Sequence, residues 1–214
     1  MRTSPSDAAP AAPRLAVSVL MLRGDEIFIQ NRSLTMDFAA GAVVFPGGRV
    51  DDVDHVTAQA QPAPAALLAA HARSWAETSV VSDDRNDPMD ASGVLLAAAV
   101  REVLEETGAI LSPADLTPWA NWITPPSYGK RFDTFFYLTV LTPAVDPQHR
   151  TTEADSSHWA SVRSILRGAA EGRLELMRPT EALLMELVDL PGSFPETVQQ
   201  LVRAPRRISP VGQL

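Results

Sequence analysis

Cysteine is absent from the 214-residue chain, which removes disulfides, thiolate nucleophiles and cysteine-ligated zinc from consideration. No uninterrupted apolar run reaches the roughly 18 residues that a membrane-spanning helix needs, so no membrane partner is expected. Positive charge is in deficit. The 18 Lys and Arg against 26 Asp and Glu leave a net charge of −8, which argues against nonspecific binding to nucleic acid. An anionic small molecule stays open, because a bound divalent cation reverses the local field. The four histidines, His55, His71, His149 and His158, are scattered without metal-ligand spacing, and no internal repeat is evident. Residues 1–13 lack the apolar stretch of a signal peptide and read as a flexible tail, with the cytoplasm the expected location. The remaining composition, 45% hydrophobic and 21% charged, is that of an ordinary globular domain with a real core.

Strand-like segments come first. Residues 14–22 and 25–31 are apolar and β-branched around Gly24-Asp25, and residues 42–45 form a short strand running into a Pro46-Gly47-Gly48 turn. Residues 52–93 read mainly as loop, with one helix over 65–78. A helix follows over 94–107, with Ser92 as N-cap and Gly108 just past its end. Residues 118–124, 131–141 and 157–160 read as strands, and 161–170, 180–190 and 195–202 as helices. Strands and helices sharing one core predict a mixed α/β or α+β layered domain.

The 94–107 helix carries the chemistry. Glu105 and Glu106 follow Glu102 by three and four positions, so the three acids share one face of one turn. Carboxylates that close repel, and the usual resolutions are a raised pKa or a bound cation. Hard ions such as Mg²⁺ take oxygen ligands from one or two carboxylates and from substrate phosphates. A solvated surface helix is the plain alternative, since Glu is a good helix former. The Pro-Gly-Gly segment shifts the balance, because backbone uncovered by side chains can approach a metal and lend it a carbonyl.

These residues resemble the Nudix hydrolases, whose box reads Gly-x5-Glu-x7-Arg-Glu-U-x-Glu-Glu-x-Gly-U, with U a bulky aliphatic residue. Arg101-Glu102-Val103-x-Glu105-Glu106-x-Gly108 fits the second half, with Ala109 at the final U. Gly48 fits the opening glycine, and Asp54 stands where the first Glu belongs. The 46 residues between Asp54 and Arg101, where the family usually has seven, mark an insertion within the box at about 55–93.

That split resembles the peroxisomal acyl-coenzyme A diphosphatase branch. So do Arg32-Ser33, Gly41, Phe45-Pro46-Gly47-Gly48-x-x-Asp51, Trp122-x-Thr124-Pro125 and Arg131-Phe132-Asp133-Thr134-x-Phe136. Asp37 replaces the second Arg of the coenzyme A pattern. The resemblance implies an α/β/α sandwich around a mixed sheet, one Nudix domain over 14–204, and a C-terminal tail over 205–214.

It further implies Mg²⁺ or Mn²⁺ held by Glu102, Glu105, Glu106 and the Gly47 carbonyl, with Glu102 also a candidate base. Arg101 would orient the acids and the loop. Glu153, six residues before Trp159, is a candidate metal ligand or base, with Asp155 a competitor and a loop acid without a role an equal alternative. Arg32 and Arg131 are candidates for substrate phosphate, as are Gly47 and Gly48, though either arginine also suits a surface ion pair. Trp119, Trp122, Tyr128 and Phe132 are candidates to stack on a base or line an acyl channel, against the commoner core role.

The implied activity is hydrolysis of a nucleoside diphosphate-linked compound. Coenzyme A or acyl-coenzyme A leads, giving 3′,5′-ADP and (acyl)phosphopantetheine. ADP-ribose, NADH or a nucleotide sugar is the alternative, and a non-catalytic nucleotide-binding sensor is the reading of another class. A homodimer is the assembly such relatives often form. The insertion could cap the site, make a dimer contact, shape an acyl pocket or be a surface decoration.

Overall fold

In the computed structural model the described residues are 11–36, 39–82, 87–204 and 207–212. Asp37 and residues 1–10 of the expected tail lie outside them. Eight strands make one mixed sheet: β1 (Arg14–Arg23), β2 (Glu26–Arg32), β3 (Ala42–Val44), β4 (Gly47–Arg49), β5 (Thr117–Ile123), β6 (Phe132–Val140), β7 (Ala154–Ser161) and β8 (Glu175–Leu176). The main path is β5-β6-β1-β2-β3-β8, with β4 added on β1 and β7 on β2. β1 runs parallel to β6 along its whole length, from Arg14 opposite Phe132 to Leu22 opposite Val140. Its other edge is shared, antiparallel to β4 at Ala16–Ser18 and to β2 only at the hairpin end. The sheet therefore splays between β1 and β2, and Phe45-Pro46 carries the chain across that gap from β3 to β4.

Alternation along the strands feeds two cores. On one face Val17, Val19, Met21, Phe28, Phe135 and Tyr137 meet α2 (Ala65–Ser74), α3 (Ser79–Ser82) and α4 (Pro88–Thr107) through Leu68, Trp75, Val80, Leu95, Leu96 and Val103. On the other, Leu20, Leu22, Ile27, Ile29, Phe136 and Leu138 meet α5 (Val162–Ala170), α6 (Arg178–Val188) and α7 (Phe194–Arg203). The result is an α/β/α sandwich with a mixed sheet.

Four local differences from the sequence reading have clear causes. The Pro-Gly-Gly segment is a strand and not a turn, because Gly47 and Gly48 lie so close to β1 that a Cβ on Gly47 would sit 2.6 Å from the Ser18 Cα. Residues 52–60 form α1 (Asp52–Ala60), a helix without an apolar stripe whose single buried side chain is Asp54. Helix α4 starts six residues before Val94: Asp87 caps it, accepting from Met89 N–H at 2.7 Å, and Pro88 takes the first helical position. Ser92 is interior, its hydroxyl donating to the Pro88 carbonyl at 2.8 Å.

The C-terminal segment is also docked where a tail was expected. Ile208 is buried, its N–H donates to the Ser74 carbonyl, and Val211 bridges to Trp122 on the β5 edge.

Candidate metal and phosphate site

Helix α4 ends beneath the splay of the sheet, and its last two turns present the acids to β4. Gly108 closes the helix in the left-handed region, at φ 70° and ψ 2°, with its N–H donating to the Leu104 carbonyl. The chain after β6 completes that end: Gln148 N–H donates to the Thr107 carbonyl at 2.8 Å and Arg150 N–H to the Glu106 carbonyl at 3.0 Å. The Arg150 guanidinium lies against Gly108, where a Cβ would come within 2.6 Å of its Nε. A cation at that position opposes the negative end of the helix dipole. Nothing in the motif spacing points to Arg150; only the fold brings it there.

Arg101 is the hub. Its Nε and Nη2 reach the two carboxylate oxygens of Asp54 at 2.8 Å each, Nη2 also donates to the Arg49 carbonyl on β4 at 3.0 Å, and Nη1 meets Glu102 at 2.9 Å and Glu105 at 3.1 Å. Asp54, 1% exposed, in turn accepts from Asp51 N–H at 2.9 Å, so one guanidinium ties α1, β4 and α4 together. Its hydrogen bonds to Asp54, above all, raise the Arg101 pKa. Such outer partners fix the orientation of a charged cluster.

The acids do not share one environment. Glu106 is 8% exposed and accepts from Gly47 N–H at 3.0 Å; burial, opposed by that bond and reinforced by Glu102 and Glu153, pushes its pKa up to about 7. Glu102 packs on the bare backbone of Gly48, where a Cβ would lie 2.6 Å from its carboxyl carbon, and its pKa is raised chiefly by desolvation. Glu105 is 58% exposed and turns to Arg101.

Glu153 faces Glu106 from the segment before β7, its carbonyl accepts from Ser33 N–H, and its carboxylate lies 3.7 Å from Arg32. Gln30 was not foreseen. It is 3% exposed on β2, beside Glu106 without a bond of normal geometry, and its Nε2 has no partner among the described residues; the Arg32 Nε is likewise buried and unpartnered. Alternation along β2 places Gln30 and Arg32 on one face, a relation visible in sequence once the acids are located.

Other expected residues go elsewhere. Arg131 is occupied by backbone, Nε on the Thr124 carbonyl at 2.9 Å and Nη1 on Ala11 at 2.8 Å, and it is not brought to the acids. Trp119 is core, 2% exposed, whereas Tyr128 stands in solvent. The insertion is not a decoration, since Trp75 is fully buried against Phe135 and Tyr137.

A hard divalent cation suits this donor set. The oxygens belong to buried acids raised by burial beside one another, and the missing Cβ of Gly48 keeps the Glu102 carboxylate open to the strand backbone. Among the described residues no three acids or histidines close into a ready-made cage. Mg²⁺ ordinarily needs only one or two carboxylates beside waters and substrate phosphates.

Residues 89–179 match the family model described as NUDIX domain. A Caenorhabditis elegans protein carrying the provisional name nudix hydrolase 7 is 26% identical over 161 residues, covering 72% of this chain and 52% of that protein. The chain thus spans about half the length of that curated relative. The crystal structure of a NUDIX hydrolase from Alicyclobacillus acidocaldarius superposes with a TM-score of 0.65 at 26% identity, over 88% of this chain and 96% of the other. The Nudix domain of Shewanella oneidensis NrtR, complexed with ADP ribose, superposes with a TM-score of 0.52 at 13% identity, over 86% and 90% of the two chains. Motif, sheet topology and relatives converge on one fold: residues 89–179 match the NUDIX domain model, and the α+β sandwich superposes on the Nudix hydrolase fold.

Proposed function

We propose that the chain is a Nudix hydrolase that cleaves the phosphoanhydride of a nucleoside diphosphate-linked substrate, with coenzyme A or acyl-coenzyme A as the first candidate. The observation that carries the chemistry is the Glu102–Glu106 pair, desolvated, fixed on Gly47 and Gly48, and braced through Arg101. Glu102, Glu105 and Glu106 would hold Mg²⁺ or Mn²⁺, with the Gly47 carbonyl as a further oxygen. When bound, such an ion polarises phosphoryl oxygens, acidifies water and offsets charge on the leaving phosphate.

The protein groups do the rest. Arg101 keeps the acids oriented and touches no substrate. Glu153 takes the proton of the attacking water. Arg32 and Gln30, each with an unpartnered buried N–H, donate to substrate phosphate oxygens. Products from coenzyme A would be 3′,5′-ADP and phosphopantetheine.

The split of the box by an insertion supports the coenzyme A reading. A second reading, ADP-ribose, NADH or a nucleotide sugar, draws on the ADP ribose bound in the Shewanella relative. Incubation with Mg²⁺ or Mn²⁺ and a panel of acyl-coenzyme A, coenzyme A, NADH, ADP-ribose and nucleotides decides between them. Turnover of the coenzyme A compounds supports the first; inert coenzyme A with hydrolysed ADP-ribose selects the second. Binding without turnover of any member would make the chain a sensor. Glu106→Gln keeps an acceptor for Gly47 N–H, so it should remain folded and lose most activity; a near-wild-type kcat overturns the role given to Glu106.

A further inference from the structure

Ile29 and Gln30 are neighbours on β2 and so face opposite sides of the sheet. Gln30 looks toward Glu106, whereas Ile29 lines a cavity of about 220 Å³ between the β2–β7 ladder and α5. We propose that this cavity is a binding site for a small phosphomonoester, separate from the acidic cluster and independent of the hydrolase reading.

Charge is the first argument. The chain has eight more acids than bases, yet among the described residues no carboxylate lines the cavity, while Arg167, Arg173 and His158 do. The side chains of Arg167 and His158 make no hydrogen bond or ion pair among the described residues. Arg173 is aimed rather than loose: its Nε donates to Glu171 at 2.8 Å, its Nη2 meets the same oxygen, and its Nη1 stays out of that pair. Two planar guanidinium groups with an imidazole suit a dianionic phosphate, whose oxygens accept several charge-assisted bonds at once, better than a single carboxylate.

Shape is the second argument. Ile29, Ala160, Ile165 and Leu174 give the cavity an apolar floor, so the occupant has a carbon body as well as a charged end. A volume of 220 Å³ falls below the roughly 300–1,000 Å³ of sites for drug-sized ligands, which limits that body to a few carbons. The site opens on the α5 face, so occupation need not compete with a substrate at the acids.

Titration calorimetry of the full chain with ribose 5-phosphate in EDTA tests this, with ribose and acetate as controls for the sugar body and for a bare carboxylate. The expected result is saturable binding of ribose 5-phosphate, no binding of either control, and affinity about tenfold or more weaker in Arg167→Gln and in Arg173→Gln. Both arginines are exposed, so the variants keep the fold, which circular dichroism checks. In NMR spectra the His158 ring signal, assigned by His158→Gln, should move on titration while that of His71 stays. Absence of binding up to about 10 mM, unchanged affinity in the double Arg variant, or a static His158 signal would each overturn the proposal.

Discussion

Replacing Arg101 with methionine removes the charge that joins α1, β4 and α4 while keeping much of the side-chain stem. The fork-to-fork pair with Asp54 is lost, and a carboxylate 1% exposed is left with the neutral Asp51 N–H in place of a charged partner. Deleting one member of a buried ion pair costs about 3–5 kcal/mol, mostly because the other charge is stranded. The Arg101 side chain is 19% exposed, so water relieves part of that, and the lower end, about 3 kcal/mol, is expected. In a chain of this size each kcal/mol lowers Tm by about 2–4 °C, so a fall of about 6–12 °C follows. The double variant Arg101→Met/Asp54→Asn removes the stranded charge as well, and its cost should fall short of the sum of the two singles by at least about 1 kcal/mol. Urea unfolding at pH 7, followed by tryptophan fluorescence, measures all four proteins. Stability of Arg101→Met within about 1 kcal/mol of wild type, or strict additivity in the cycle, would refute the assignment of Arg101 and Asp54 as a buried, coupled brace.

Three further outcomes are expected. Burial pushes the His71 pKa down from 6.5 to about 4, so the folded chain keeps a neutral ring where the unfolded chain takes up a proton. Stability is then intact above pH 6.5 and falls as pH drops from 6.5 through 4, by about 3 kcal/mol in all; urea midpoints across that window should decline in wild type and flatten in His71→Phe, and equal slopes would contradict it. Gly108→Ala places a Cβ against Arg150 at a positive φ and should cost about 1–3 kcal/mol, read as a Tm drop that Arg150→Ala partly relieves; if Arg150→Ala gives no relief, the contact is not the cause. Trp75→Ala should cost about 3–5 kcal/mol, since the ring is fully buried in edge contacts of 5.1 Å with Phe135 and 5.6 Å with Tyr137, and a loss under about 1 kcal/mol would place the insertion outside the core.

The sandwich was legible wherever burial imposes a period. Strands β1, β2, β5 and β6 alternate or run apolar as their burial requires, and α5 to α7 fall within two residues of their expected bounds. What escaped has another organising force. Helix α1 buries no apolar residue; Val53 and Val56 are exposed, and the helix is held by Asp54 on Arg101, a partner 47 positions away. Strand β4 carries two glycines, which read locally as a turn, yet their missing side chains are what admit β1 on one side and Glu102 on the other. At the site, the box located Arg101 and the three glutamates. It could not show that Glu105 turns to Arg101, that Arg131 is consumed by carbonyls, or that Gln30 and Arg150 converge from other strands and loops.

The insertion looks different once its anchors are counted by kind. Asp54 ties its start to Arg101, Ser79 donates to Asp133, itself held by Asn121 at 2.6 Å, and the Ser74 carbonyl accepts from Ile208 of the C-terminal segment. Between these, Leu68, Trp75 and Val80 belong to the same core as Phe135 and Tyr137. A segment fixed by a buried ion pair, a buried carboxylate and a tryptophan is not a free flap over the acids. The groups beside Glu106 are instead Gln30 on β2 and Glu153 on the segment leading into β7, and Arg32, with its Nε unpartnered, pairs with Glu153 at 3.7 Å. Under the proposed hydrolase function, discrimination among phosphoanhydrides is therefore better sought in substitutions along β2 and residues 148–153, while changes within 55–82 should register first as lost stability.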